Sequence, residues 1–427
     1  MTPPACRLCG DKLAHVFVDL GEMPLACRVI AVETKEERRF PLRLRVCDRC
    51  LLVQSDAGAD GTGATGKALP SPYLPATGRT ANAMVDRFGL GRDSLVMEVA
   101  STDGTRLRPF QDAGMAVLGI EPNEVLAELA RSNGVPTECA LLNAETAMDI
   151  AVRHGRADFV VAHGVLAEVA DLFGFAAGFA GILRPNGIVA FDFPHLLWMV
   201  DQTRFDCIDH GHRSYLSLLV VERVLRSVGL LVFDLERLPP PGGGLRVFAG
   251  HGRGPYMPRP SVQSMRLQEV AARLDQPPQY NLFALKAAAS IQVLREFVDS
   301  RRQSGRRIVA YGVTAEANTL LNCCGLGHND ILCIADPDTE RQAMLLPGSH
   351  IPIVSPRMLL SFRPDDVLVF PPDGPLDAAM ELASHLPGAT CFWSLMPAPR
   401  PLALRSYQPA DRSTESQRFG RLVSEAT

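Results

Sequence analysis

Leu95-Val-Met-Glu-Val-Ala-Ser-Thr-Asp-Gly-Thr105 passes from a short apolar run into small and turn-forming residues, and this stretch decides the fold. Leu95–Val99 reads as a buried strand. Ala116–Ile120, Phe159–Ala162 and Gly187–Phe191 read as further strands, with helices predicted over Glu124–Asn133 and Leu172–Leu183. That alternation predicts an α/β domain, a parallel sheet with helices on its faces. The loop after the first strand lacks the G-x-G-x-x-G spacing of a dinucleotide site, which argues against an NAD domain. It presents Glu98, then Ala100, Ser101, Asp103 and Gly104, small enough for a ligand to approach the backbone. The next strand ends in Gly-Ile-Glu121-Pro-Asn. A carboxylate at that tip can accept both hydroxyls of a ribose. It reads equally well as a cap for the helix that follows.

Outward from this stretch, the chain has 427 residues, of which 47% are hydrophobic and 21% charged. At about 150 residues per domain this predicts two to three domains with cores large enough to need no disulfides. The balance excludes a disordered or collagen-like chain. Forty-three basic and 47 acidic residues leave a net charge of −4. Neither a nucleic-acid nor a membrane partner is expected from it. The N-terminal residues have no basic-then-apolar pattern, and Leu216–Phe233 is interrupted by Glu222, Arg223 and Arg226. No secretory signal or membrane span is therefore expected, and a cytoplasmic location is.

Cys6-x2-Cys9 and Cys47-x2-Cys50 are two knuckles able to converge on one tetrahedral ion. Thiolates suit zinc, and four of them close the site to water, so the expected ion supports folding and does no chemistry. The chain divides on composition into a cysteine-bearing lobe over 1–70, an α/β domain over 71–250, a second over 251–408, and a polar tail over 409–427. A glycine-rich hinge from Ala57 and the break Leu238-Pro-Pro-Pro-Gly-Gly-Gly punctuate it. In the second α/β part, a long helix is predicted over Leu282–Arg302. Strands follow at Arg307–Tyr311, Ile331–Ala335 and Asp366–Phe370, with a helix at Ala315–Leu321. The tail is expected to fray.

The order of these segments resembles class I S-adenosylmethionine (SAM)-dependent methyltransferases, and more narrowly the sugar C-methyltransferases of antibiotic deoxysugar pathways. The resemblance covers nearly the whole chain: the four cysteines, VASTDGT at 99–105, GIEPN at 119–123 and AHGVLAEVADL at 162–172. It continues with FDCIDHGHRSYLS at 205–217, the glycine turn before Leu245-Arg246, YGVTAEANTLLN at 311–322 and LPGSHIPI at 346–353. It implies a zinc lobe, a central SAM domain and a C-terminal Rossmann-like domain. A thymidine-diphosphate (dTDP) keto-sugar would be held between the last two, in a monomer or weak homodimer. Matched residue by residue, Glu98, Ala100, Ser101, Asp103 and Gly104 fall on the loop around the methionine part of SAM. Glu121 falls on the ribose acid, and Ala162 and His163 on the segment after the fourth strand.

C-methylation needs a carbanion equivalent, reached when a base removes the proton beside a keto group and donors hold the enolate. The resemblance places that centre at Asp209-His210-Gly211-His212-Arg213-Ser214-Tyr215. The family pattern there resembles Tyr-His-Glu-His followed by a tyrosine. His210, His212 and Tyr215 are retained, whereas Asp209 and Gly211 replace the tyrosine and the glutamate, and Glu168 replaces a histidine. One reading is a rewired centre in which Asp209 or Glu168 polarises His212 as base. The others are a changed acceptor and a catalytically silent scaffold. For the substrate, the resemblance points to Tyr73, Arg246, Tyr311, Asp336, Arg341 and His350. Glu316 stands where the family has lysine, and at a helix start it would repel a nearby diphosphate.

Overall fold

The computed structural model describes residues 4–26, 29–32, 37–56, 77–238, 243–276, 280–370 and 377–404. Tyr73, the hinge from Ala57 and the 409–427 tail lie outside them. Among the described residues no helix is long and apolar enough to cross a membrane.

Three sheets organise the chain. The first is an antiparallel meander of β1 (His15–Met23), β2 (Phe40–Val46) and β3 (Val53–Ser55). The four predicted strands of the middle region form at β4 (Leu95–Val99), β5 (Ala116–Ile120), β7 (Ala157–His163) and β8 (Leu183–Pro194), and a short strand that was not predicted, β6 (Thr137–Glu138), lies between β5 and β7 in the chain. Next comes β9 (Ser214–Tyr215), which leaves the middle region and pairs antiparallel with β3, Val53 facing Tyr215 and Gln54 facing Ser214. The central sheet closes with β10 (Leu230–Arg237) and β11 (Gly244–His251), in the order β10-β11-β8-β7-β4-β5-β6.

The expected parallel sheet forms over β8, β7, β4, β5 and β6, and its other edge departs from it, since β11 runs antiparallel to both β10 and β8. The link from Leu238 to Gly243 is too short for a parallel return, which needs about a dozen residues or more. Between β4 and β7 the strand order reverses, so their carboxyl ends open a crevice of the kind that receives ligands. Helices α1 (Thr77–Phe88), α2 (Arg108–Asp112) and α3 (Glu124–Ser132) precede α4 (Ala144–His154) and α5 (Leu172–Ile182), the last two packed together. Asn123 starts α3 by accepting from the N–H groups of Val125 and Leu126.

The third sheet, ordered β14-β13-β12-β15-β16-β17, is built from β12 (Ile308–Tyr311), β13 (Ile334–Ala335), β14 (Ile353–Val354), β15 (Asp366–Val369), β16 (Cys391–Ser394) and β17 (Arg400–Pro401). It is parallel except for β17. Helices α6 (Leu196–Asp201) and α7 (Leu218–Ser227) fall between β8 and β10 in the chain, while α8 (Pro260–Ala271) and α9 (Asn281–Gln303) link the central sheet to the third. Helix α9 holds the N-terminal meander, with Phe283 stacked on Phe17 at 4.7 Å. Helix α10 (Ala315–Cys323) follows β12.

One buried acid ties α8 to this frame. Glu269 has no exposed surface and accepts from Leu218 N at 2.6 Å and Leu219 N at 2.9 Å, capping α7 from another helix. Its Oε1 also meets His195 Nε2 at 2.7 Å. Glu269→Ala leaves these donors buried and unpaired, a loss of about 3–5 kcal/mol. A urea midpoint unchanged by that substitution would refute the cap.

Candidate active site

At the N-terminus the four cysteines converge as the spacing predicts. Cys6 and Cys50 lie 3.5 Å apart, as do Cys9 and Cys47, and all four sulfurs are within 4.8 Å of one another. A zinc–sulfur distance of about 2.3 Å gives tetrahedral edges of about 3.8 Å, so this donor set fits the ion. Gln54 touches the cluster, donating to Cys6 Sγ at 3.1 Å and accepting from Arg7 N at 3.0 Å. From the same knuckle, Arg7 reaches Ser214 Oγ at 3.2 Å and the Arg213 carbonyl.

The residues matched to SAM gather in the crevice at the ends of β4, β5 and β7. Ala100 and Thr102 take left-handed backbone at φ 57° and 50°, and Gly104 follows at 76°. A side chain on Gly119 would stand 2.5 Å from Ser101 Oγ, so its absence admits the loop. Glu121 accepts from Thr102 N and Asn123 N, each at 2.9 Å, and so caps loop and helix together. Those two bonds leave carboxylate lone pairs for ribose hydroxyls, so the two sequence readings of Glu121 are compatible. Asp103 folds its carboxylate onto Thr105 N at 3.1 Å. Ala162 is fully buried and offers only backbone.

Glu98 is 1% exposed, and neither of its oxygens has a hydrogen-bond partner among the described residues. Burial pushes it up to about 8, against the pull of Arg106 at 3.7 Å. Ser101 Oγ is likewise buried without a partner. Such orphaned groups, with Glu98 lining a cleft beside Arg106, His163 and Arg246, fit a polar ligand such as SAM. Asp192, at the tip of β8, escaped the sequence reading. It holds His163 Nδ1 at 2.7 Å, Gly164 N at 3.0 Å and Arg246 at 3.3 Å. Burial works against its charge, yet His163 and Arg246 keep it below the usual carboxylate range. The strand-end rule that picked out Glu121 would have found it. Arg106, just past Gly104, carried no such signal.

At the second cluster Asp209 Oδ2 meets His212 Nδ1 at 3.0 Å. Asp209 Oδ1 accepts from the N–H groups of Gly211 at 2.6 Å and His212 at 3.0 Å. The two side chains keep 16% and 19% of their surface open, so the pair is reachable from solvent. Burial opposes both charges, but mutual attraction and the N–H donors bring Asp209 down to about 2 and lift His212 to about 9. With that value His212 holds a proton at neutral pH, which suits it to donate, whereas one of the sequence readings had it as base. Exposed Glu168 sits at the rim, placed by the bond from Arg213 N to the Ala167 carbonyl at 2.9 Å.

Two retained family residues have other tasks. Tyr215 is buried, its hydroxyl accepting from Asp209 N at 3.1 Å and donating to Asp209 O at 3.3 Å. Burial raises its phenol far above the ordinary value, and both bonds of its hydroxyl go to the Asp209 backbone, so it shapes the loop. His210 turns away onto the N-terminal meander, edge-on to Phe40, with Nε2 at 3.3 Å from the Phe40 carbonyl.

The substrate residues do not all meet. Tyr311, Asp336 and Arg341 assemble at the carboxyl ends of β12 and β13, where Asp336 accepts from Val313 N at 3.2 Å and from Arg341 at 3.3 Å. Arg341 Nε is buried there without a partner among the described residues. His350 stands apart, 3.4 Å from Glu37 of the N-terminal region. Arg246 joins the Asp192 group in the central crevice.

Fold and site together define a SAM-dependent methyltransferase carrying a four-cysteine zinc lobe. A family model described as C-methyltransferase C-terminal domain matches residues 239–378. Others match a zinc binding domain at 6–60 and a methyltransferase domain at 76–234. The C-methyltransferase NovU of Streptomyces niveus is 31% identical over 384 residues, spanning 85% of this chain and 88% of that one. The chain belongs to this C-methyltransferase family. Among solved structures, a Mesorhizobium loti S-adenosylmethionine dependent methyltransferase is 16% identical over 39% of this chain and 95% of its own, with a TM-score of 0.31. The glycopeptide N-methyltransferase MtfA is 18% identical over 42% and 97%, with a TM-score of 0.33.

SAM binding gives a direct check on Glu121. Glu121→Ala is expected to weaken SAM affinity by about 10- to 100-fold, the worth of hydrogen bonds to a charged group. Calorimetric titration showing unchanged affinity would remove its ribose role.

Proposed function

We propose that this enzyme methylates the carbon beside the keto group of a dTDP-linked keto-deoxysugar, in the assembly of a specialised metabolite. The observation that carries the reading is the solvent-reachable Asp209–His212 pair. The resemblance over 205–217 and 311–322 adds the sugar nucleotide, which Tyr311, Asp336 and Arg341 would hold. Arg341 suits a phosphate through its planar fork, and Tyr311 suits a base or sugar face. SAM, when bound near Glu98, Ser101 and Glu121, supplies an electrophilic methyl group.

The chain's own part is to make a nucleophilic carbon. A carboxylate removes the proton beside the keto group, and the His212 imidazolium donates to the oxygen where charge develops. Asp209 keeps that imidazolium charged and oriented. A decayed scaffold would have no reason to retain a partnered, accessible cation, so the pair favours a working centre over a silent one.

The test is release of S-adenosylhomocysteine over a panel of dTDP-keto-sugars, with SAM binding measured on the same preparation. Product with any sugar supports the reading. Bound SAM and no product across the panel would sink the sugar substrate in favour of another acceptor.

A further inference from the structure

Asp209, Glu168 and Glu316 all act on His212. Their freedom to take up a proton differs. Asp209 has its oxygens engaged by two N–H groups and the imidazole itself. Glu168 is exposed at the rim. Glu316, in the first turn of α10, is only 7% exposed, and its Oε2 is buried with no hydrogen-bond partner among the described residues. Helix α10 is docked onto the reaction loop by Thr319, whose hydroxyl donates to the Ile208 carbonyl at 3.0 Å, one residue before Asp209. The third sheet thus presents a buried carboxylate oxygen, still free to accept, to the His212 cluster of the central domain.

A histidine paired with one carboxylate and flanked by two more keeps its proton, so it cannot take another. We propose that Glu316 is the general base of the reaction proposed above, and that His212 serves as the donor. The Glu316 Oε2 takes the proton from the carbon beside the keto group as that C–H bond breaks. The bond's electron pair forms the enolate double bond and charges the keto oxygen, which accepts a hydrogen bond from the His212 imidazolium. The inference rests on the keto-sugar reading. It also gives a function to an acid that the sequence places at a helix start, where it would repel a nearby diphosphate.

The surroundings support this division of labour. Glu316 faces Asp206, Asp209 and His212 of the 205–215 segment and Thr314 at its own helix cap, while Asp206 is already forked to Arg204 at 2.8 Å. Burial, with Asp206 and Asp209 nearby, pushes Glu316 up to about 7. Between that value and the His212 value of about 9, an ionised base and a charged donor coexist. The rate is expected to rise through the first and fall through the second.

The test is hydrogen–deuterium exchange at the sugar carbon, followed by NMR in D2O without SAM, on thymidine-diphosphate 4-keto-6-deoxyglucose and the rest of the keto-sugar panel. Glu316→Gln is expected to lower exchange by about 100-fold or more with SAM affinity retained, and Glu316→Asp to restore part of it. Nitrogen-15 NMR of histidine-labelled protein is expected to show His212 protonated at about pH 7.5, a readout that does not depend on any variant folding. Wild-type exchange surviving in Glu316→Gln, loss in Glu168→Gln instead, or a neutral His212 would overturn the assignment. Wild-type protein that exchanges no sugar of the panel would fail at the earlier step and sink the keto-sugar reading itself.

Discussion

Asp209→Asn is expected to lower turnover by about 10²- to 10⁴-fold while SAM affinity stays unchanged. The amide keeps an oxygen for the N–H groups of Gly211 and His212, so the loop holds its shape and only the charge beside His212 is lost. Without that charge the imidazolium loses its main support, and the alkaline limb of the rate profile moves to lower pH. The pair's contribution to stability has a definite window. Asp209, lowered to about 2, contributes above its unfolded value of about 3.9 and loses that contribution as pH falls through the folded value. His212, raised to about 9, contributes fully below about 6.5 and loses it as pH rises through the folded value. Both contributions are complete between about pH 4 and 6.5. Turnover and pH profile unaltered in Asp209→Asn would exclude the pair from the chemistry.

Stripping zinc is expected to damage catalysis more than cofactor binding. The metal's four ligands sit on a small meander, and structural zinc supplies about 10 kcal/mol or more of folding energy in small modules. That meander also carries the reaction loop. Gln54 bonds Cys6 Sγ and pairs through β3 with Ser214, while Arg7, inside the Cys6–Cys9 knuckle, holds the same stretch. The SAM crevice lies on a different sheet. Chelation, or Cys47→Ser, should release about one zinc per chain. Turnover should then fall by about tenfold or more, with SAM affinity preserved. Metal analysis with kinetics decides it: full turnover in metal-free protein would remove the lobe from any part in holding the loop.

Local features were legible from the residues. The strands at Leu95–Val99 and Ala116–Ile120 form over those residues, because a short apolar run between turn signals has few other conformations to take. The long helix predicted over 282–302 forms over Asn281–Gln303. The paired knuckles announced their cluster because two residues between thiols leave little freedom in where the sulfurs point. The antiparallel edge was missed although the short link before Gly244 was in plain view, since strand direction depends on the neighbour chosen and not on the strand's own residues.

The sequence by itself determined the four-thiol cluster, the alternating elements and the small-residue loop ending in an acid, all set within a few residues of chain. Tertiary structure decided which charges meet. It parted His210 from His212, set Arg246 beside Asp192, and brought Glu316 of α10 near enough for its charge to act on His212. A side chain's protonation and task follow from neighbours that can lie a hundred residues away. Their approach is settled by how whole elements pack, as when Thr319 docks α10 on the Ile208 carbonyl.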